Sequence, residues 1–185
     1  MVRTFICMEI PDEIRAAIDK NVIKPLRKCD IRCSWVKPEN LHLTLKFLGD
    51  VPETKLGRIG DAVCRVTEGI APPKVSLARV GTFGKRSPKV VLVNISCETD
   101  TLNLIAKIID TSMHKFGFTK EKRIYSPHLT IGRIRSPLGT DTLMRKIGEL
   151  SLPAMEFSLD NMILMRSELS PQGSIYTPVR IFNLA

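Results

Sequence analysis

Leu41-His42-Leu43-Thr44-Leu45-Lys46-Phe47-Leu48-Gly49 has a counterpart nearly half a chain away, Pro127-His128-Leu129-Thr130-Ile131-Gly132-Arg133-Ile134-Arg135. Each sets a His-Leu-Thr in an apolar, β-favouring run. In an extended strand, residues i and i+2 project from the same face. His42 and Thr44 therefore share a face, as do His128 and Thr130, while Leu41, Leu43 and Leu45 can pack on the other. The chain holds three histidines, and two of them occupy this matched setting. The third, His114, falls late in a helical pattern, where an imidazole sits favourably near the negative helix end, and it reads as structural.

Outward from the first copy, Ile31 to Val36 reads as a strand closed by the turn-rich Lys37-Pro38-Glu39-Asn40. Before it, Thr4 to Ile10 is a strand stopped by Pro11-Asp12, and a helix carries Ile14, Ala17, Ile18, Val22 and Leu26 at helical spacing. After it, Pro52-Glu53 opens a helix with Leu56, Ile59, Val63, Val66 and Ile70, broken by Pro72-Pro73. Two β-rich runs, Val75 to Gly84 and Val90 to Ile95, flank the basic turn Lys85-Arg86-Ser87-Pro88-Lys89 and predict a hairpin.

A helix from Thr99-Asp100 buries Leu102, Ile105, Ala106, Ile109 and Met113 and ends at Gly117. Past the second copy come a helix over Thr140 to Leu150, a β-rich run from Met155 to Met165, a turn over 170–174 and a last strand, Ile175 to Leu184. This order predicts an α+β fold of antiparallel sheets. The repeated phrase suggests two similar lobes, each offering one strand to a shared cleft, within a single domain spanning 1–185.

Bulk properties agree with a globular protein: 43% hydrophobic and 25% charged residues. A net charge of +9 favours polyanionic partners such as nucleic acid. The five cysteines form no C-x-x-C pair and read as reduced thiols. No apolar run is long enough for a membrane span, and the N-terminus enters a strand rather than a leader. The expected setting is cytoplasmic.

Two imidazoles in one cleft can divide acid and base work near neutral pH. One removes a proton from a nucleophile while the other protonates a leaving oxygen. The threonine hydroxyls can hydrogen-bond an anion between them, which suits in-line attack at phosphorus. Lys46, Arg133 and Arg135 are cations near at hand, so no metal is required. Read singly, either His-x-Thr would be a structural or solvent-exposed histidine; the matched pair argues otherwise. A metal site would need a fourth partner beside the three histidines, and neither His-x-His nor Cys-His spacing is present.

The paired phrases resemble the two His-x-Thr signatures of the 2H phosphoesterase superfamily, most closely its RNA 2′,3′-cyclic phosphodiesterase branch, also labelled 2′-5′ RNA ligase-like. The resemblance extends to Arg3-Thr4-Phe5-Ile6, Trp35-Val36, Gly81-Thr82-Phe83-Gly84, Pro88-Lys89-Val90, Ser167-Glu168-Leu169-Ser170-Pro171, Gly173 and Tyr176. It implies a bilobal, pseudo-twofold fold with two antiparallel sheets flanking a central cleft and helices on the outer faces. It implies hydrolysis of RNA 2′,3′-cyclic phosphate ends, tRNA fragments among them, to 2′-phosphates by a monomer without metal or cofactor.

By the same analogy His42 is the proton donor and His128 the proton acceptor, while Thr44, Thr130 and Arg133 bind phosphate and Phe47 stacks on the base. Strict alternation would turn Phe47 and Arg133 away from their histidines unless the strands bulge. Tyr125, Lys46, Arg135 and the Lys85-Arg86 loop read equally as RNA contacts or as parts of a solvated face. The alternatives are 2′-5′ RNA ligation in the same cleft and a non-catalytic RNA- or nucleotide-binding module.

Overall fold

The computed structural model describes residues 1–84, 87–171 and 173–185. The chain runs β1 (Val2–Glu9), α1 (Asp12–Ile18), α2 (Lys24–Arg27), β2 (Cys33–Trp35), β3 (His42–Val51), α3 (Glu53–Thr67), β4 (Lys74–Phe83) and β5 (Val90–Ser96). It continues with α4 (Thr101–His114), β6 (His128–Ile134), α5 (Thr140–Glu149), β7 (Glu156–Ser158), β8 (Asn161–Ser170) and β9 (Gly173–Asn183). The fold is the expected α+β.

The two expected antiparallel sheets are the halves of one curled sheet, in the order β7-β4-β5-β6-β3-β1-β8-β9. The halves meet where β3 pairs with β6 through Leu43 and Leu129 alone. Beyond that pair the strands part. The vacated edge of β6 is taken by β2, which pairs Cys33, Ser34 and Trp35 with Ile134, Arg133 and Gly132. Gly132 is required there by close approach. A Cβ would lie 2.8 Å from Cys33 Sγ and 2.9 Å from Trp35 Cε3, inside any ordinary contact.

One core contains Ile14, Ile18, Leu43, Ile59, Val63, Leu102, Ile105, Ile109, Leu129 and Ile131, so helices and sheet share it. All five apolar positions expected of α4 are buried. Strand β1 is covered on both faces: Ile6 and Met8 enter that core, while Phe5 and Cys7 form a small second cluster with Ile163, flanked by Met165 and Tyr176. This second cluster floors one lobe of the concave face.

Three element expectations need correction. The helix read continuously through Leu26 is interrupted by a π-helical stretch, Asp19–Ile23, ahead of Pro25. Proline lacks an N–H and its ring crowds the preceding turn, so a widened turn accommodates it. The strand read over Ile31 to Val36 shrinks to Cys33–Trp35. The run Met155 to Met165 divides into β7, which edges β4, and β8, which joins β1 and β9 at the far end of the sheet. Periodicity cannot show that a continuous apolar run changes lobes. The Lys85-Arg86 contact, and Gln172 of the turn read over 170–174, lie outside the described residues.

Candidate active site

Antiparallel register about Leu43–Leu129 sets His42 alongside Thr130 and Thr44 alongside His128. A local twofold therefore passes between the two leucines, and each imidazole neighbours the other strand's hydroxyl. The chemistry of each ring is prepared in the same way. The Nδ1 of His42 lies 2.7 Å from the carbonyl oxygen of Asn40, and that of His128 lies 2.7 Å from the carbonyl of Ser126. A carbonyl only accepts, so each Nδ1 carries hydrogen and each Nε2 is left to exchange protons.

The bulges that alternation demanded are present at matching positions. Along β1 the partners run Cys7–Thr44, Ile6–Lys46 and Phe5–Phe47, which leaves Leu45 unopposed. Along β5 they run Leu92–Thr130, Val91–Gly132 and Val90–Arg133, which leaves Ile131 unopposed. Two successive side chains thus face the core, and the fifth position after each histidine returns to the cleft face. Burial follows the same sequence in both strands: half-buried His and Thr, buried third and fourth positions, exposed fifth. Phe47 is 62% exposed with its ring 6.1 Å from Phe5, and Arg133 is exposed in the other lobe.

The fourth position overturns one expectation. Lys46 is 3% exposed and points away from the cleft. Its ammonium donates to Asp110 Oδ1 at 2.6 Å and to the carbonyl of Thr119 at 2.9 Å, so it braces β3 against α4 and is no RNA contact. Burial alone would raise the Asp110 carboxyl. Hydrogen bonds from Lys46 and the Glu121 N–H, with the charges of Lys46 and Lys120, hold it below its ordinary value instead.

Tyr125 is likewise turned to structure. Its hydroxyl donates to the carbonyl of Thr44 at 2.9 Å, and burial, followed by the nearby Cys7, raises its pKa. Arg135 is exposed, and its Nε donates to Ser34 Oγ at 2.9 Å, which holds it along β2. His114 bonds the Phe118 carbonyl through Nδ1 at 3.0 Å, outside the cleft.

The two halves differ in what surrounds each imidazole. His42 stacks on Phe5 at 4.8 Å with a 27° interplanar angle, and meets Tyr176 edge-on at 5.2 Å. Burial in this wall lowers its pKa to about 4. The Asn40 carbonyl opposes that shift, whereas Arg15 and His128 add to it. Arg15 is itself held by Glu9, the residue opposite His42 on β1, at 3.2 Å. His128 meets Phe83 edge-on at 4.7 Å, and its partner on β5 is Asn94.

Sequence reading did not single out Phe5, Tyr176 and Phe83 as neighbours of the histidines. Phe5 could have been found, since it alternates with Cys7 and Glu9 on a strand paired to β3. Tyr176 could not, because its approach depends on β9 returning from the far end of the chain. Among the described residues no three His, Cys, Asp or Glu side chains gather as a metal-ligand set. No described helix is long and apolar enough to cross a membrane.

This geometry can be set beside known proteins. The profile of the family described as LigT like Phosphoesterase matches residues 9–93 and 95–176. An RNA 2′,3′-cyclic phosphodiesterase of Methanothermobacter thermautotrophicus is 36% identical over 185 residues, covering 99% of each chain. One of Archaeoglobus fulgidus, with the same name, is 35% identical and covers 98% of this chain and 99% of its own. A crystal structure from Thermus thermophilus superposes with a TM-score of 0.79 at 27% identity, covering 98% of this chain and 97% of that one.

Proposed function

Because the chain belongs to the LigT-like phosphoesterase family, we propose that it is a hydrolase that opens the 2′,3′-cyclic phosphate at an RNA end to leave a 2′-phosphate. The names of its relatives support the activity. The observation that carries the mechanism is the pairing at Leu43–Leu129, which sets two His/Thr pairs around one twofold with both Nε2 atoms free of the backbone.

In this reading Thr44 and Thr130 donate to the non-bridging oxygens and Arg133 offsets their charge. His128 takes a proton from water as its oxygen bonds to phosphorus, while His42 gives a proton to O3′ as the P–O3′ bond breaks. The two rings then exchange protons with solvent and reset. No metal or cofactor enters the scheme. Phe47, exposed beside Phe5, offers a face for the terminal base. The cleft is built within one chain, so a monomer suffices, and the expected substrates are RNA ends, tRNA fragments among them, in the cytoplasm.

One observation favours the opposite division of labour. An imidazole held near 4 is neutral at pH 7 and is ready to accept a proton. To act as donor, His42 must be recharged by the anionic phosphate it receives. A substrate with sulfur in place of O3′ separates the two, because a thiolate departs without an acid. If His42 is the donor, His42→Ala regains most of its lost rate on the sulfur substrate and His128→Ala does not. If the roles are reversed, the variants exchange behaviour.

The activity itself is tested by end-group analysis of a short RNA bearing a 2′,3′-cyclic phosphate. The expected product is the 2′-phosphate, with a loss of at least about 10²-fold on removing either histidine. Hydrolysis no faster in the parent protein than in His42→Ala or in buffer, with RNA binding weakened by the substitution, would make the protein a binding module. A 2′-5′-joined product from paired tRNA halves would add ligation.

A further inference from the structure

His42 and His128 are matched through their own strands and unmatched through what is attached to those strands. Asn40 closes a 3-10 turn, Pro38–Asn40, immediately before β3. Its backbone oxygen receives His42 Nδ1 at 2.7 Å, while its side-chain amide donates to the carbonyl of Ser174 on β9 at 2.9 Å. Ser174 and Tyr176 lie two residues apart on β9 and so share a face. Tyr176 is the residue that stands edge-on to His42, and Phe5 joins both rings. One residue therefore fixes the Nδ1 hydrogen and anchors the strand that keeps water from the ring.

The other half lacks this link. Ser126 supplies only its carbonyl to His128, and among the described residues no side-chain hydrogen bond ties Ser126 to another strand. The neighbour Phe83 comes from β4 within the same lobe.

We propose that Asn40 is a positioning residue which, acting with Tyr176, makes the hydration of His42 depend on the docking of β9. The C-terminal hairpin then does for His42 what no described element does for His128, and it makes the two imidazoles an unequal pair. The charged and titratable groups facing His42 are Glu9 on β1, Arg15 on α1, Tyr176 on β9 and His128 on β6. Glu9 and Arg15 pair with one another. Burial dominates the low pKa of His42, and Tyr176 of the hairpin supplies one of the two rings that enclose it, Phe5 of β1 the other.

Three histidines make the test direct, since each gives a separate imidazole signal. In the intact protein, long-range proton–nitrogen NMR should show His42 as one Nδ1–H tautomer with a depressed titration midpoint. In Asn40→Ala the backbone carbonyl and the Nδ1–H tautomer it fixes remain, while loss of the bond to Ser174 should raise the His42 midpoint by about one pH unit or more. His128 and His114 should keep theirs. Tyr176→Ala should raise the His42 midpoint as well, and Tyr176→Phe, which retains the ring edge, should leave it in place.

Turnover of the cyclic phosphate in Asn40→Ala should fall about tenfold in kcat with KM little changed. The turnover readout rests on the function proposed above; the NMR readout does not. If His42→Ala kept full activity, the function would fail and the coupling would still be measurable. Folded Asn40→Ala with His42 titrating as in the parent protein would overturn the proposal. Should Asn40→Ala not fold, the Tyr176 pair decides: a shift in Tyr176→Ala alone supports it, and no shift in either overturns it.

Discussion

Removing the Lys46 ammonium separates a structural cation from an RNA-binding one. The ammonium is buried against Asp110, whose side chain is 16% exposed, and it also satisfies the Thr119 carbonyl. Lys46→Met keeps most of the volume and deletes both donations. Among the described residues Asp110 then retains only the Glu121 N–H at 3.1 Å. Stranding one member of a buried ion pair costs about 3–5 kcal/mol, and the residual exposure of Asp110 places this case near 3. With a urea slope of about 1–3 kcal/mol/M, the midpoint should fall by about 1–3 M. The double variant Lys46→Met/Asp110→Leu removes both charges and should regain most of the loss, because a well-packed apolar pair is often as stable as a buried ion pair. KM for a cyclic-phosphate RNA should change less than twofold in the folded fraction. A midpoint shift below about 0.3 M together with a tenfold rise in KM would refute this and return Lys46 to the substrate.

Gly132→Ala should cost about 1–3 kcal/mol in urea unfolding, as overpacking against Cys33 and Trp35 does, and Cys33→Ala should restore part of it. The pH profile of kcat/KM should carry an acidic limb near 4 that disappears in His42→Ala, because this limb reports the free-enzyme pKa of His42. The same group makes stability pH-dependent: its folded pKa lies below the unfolded 6.5, so stability is retained above 6.5 and lost as pH falls toward 4. The loss is on the order of 3 kcal/mol, read by comparing His42→Ala with the parent across that window. Phe47→Ala should raise KM for RNA ends several-fold while moving the unfolding midpoint little, since its ring is mostly exposed.

The sequence displayed the two strands and the face shared by each His/Thr pair because period-two alternation is a local property. It also displayed the conflict at Phe47 and Arg133, which sat on the wrong parity. Resolving that conflict needed pairing partners. Leu45 and Ile131 are unopposed only when Phe5 to Cys7 and Val90 to Leu92 lie beside them. Lys46 differs for the same reason: a lysine next to a His-x-Thr phrase reads as a cation for an anionic ligand until Asp110 is seen behind it. Tyr125 is the parallel case, its hydroxyl taken up by the Thr44 carbonyl. The division of Met155 to Met165 between lobes was hidden too, since both pieces are equally apolar and only the sheet order distinguishes them.

The two strands can look so alike and still support unequal roles because the symmetry holds only as far as the backbone. Position for position they share a bulge, a burial sequence and a carbonyl partner for Nδ1. Side chains at the fourth position already differ, Lys46 tying β3 to α4 and Gly132 admitting β2. The surroundings differ more: aromatic rings from β1 and β9 enclose His42, whereas a ring edge from β4 and the amide-bearing Asn94 flank His128. In the proposed scheme a symmetric frame fixes where two imidazoles stand relative to one phosphorus. Hydration then decides which of them is charged when substrate arrives, and hydration is set by the elements that the symmetry does not repeat.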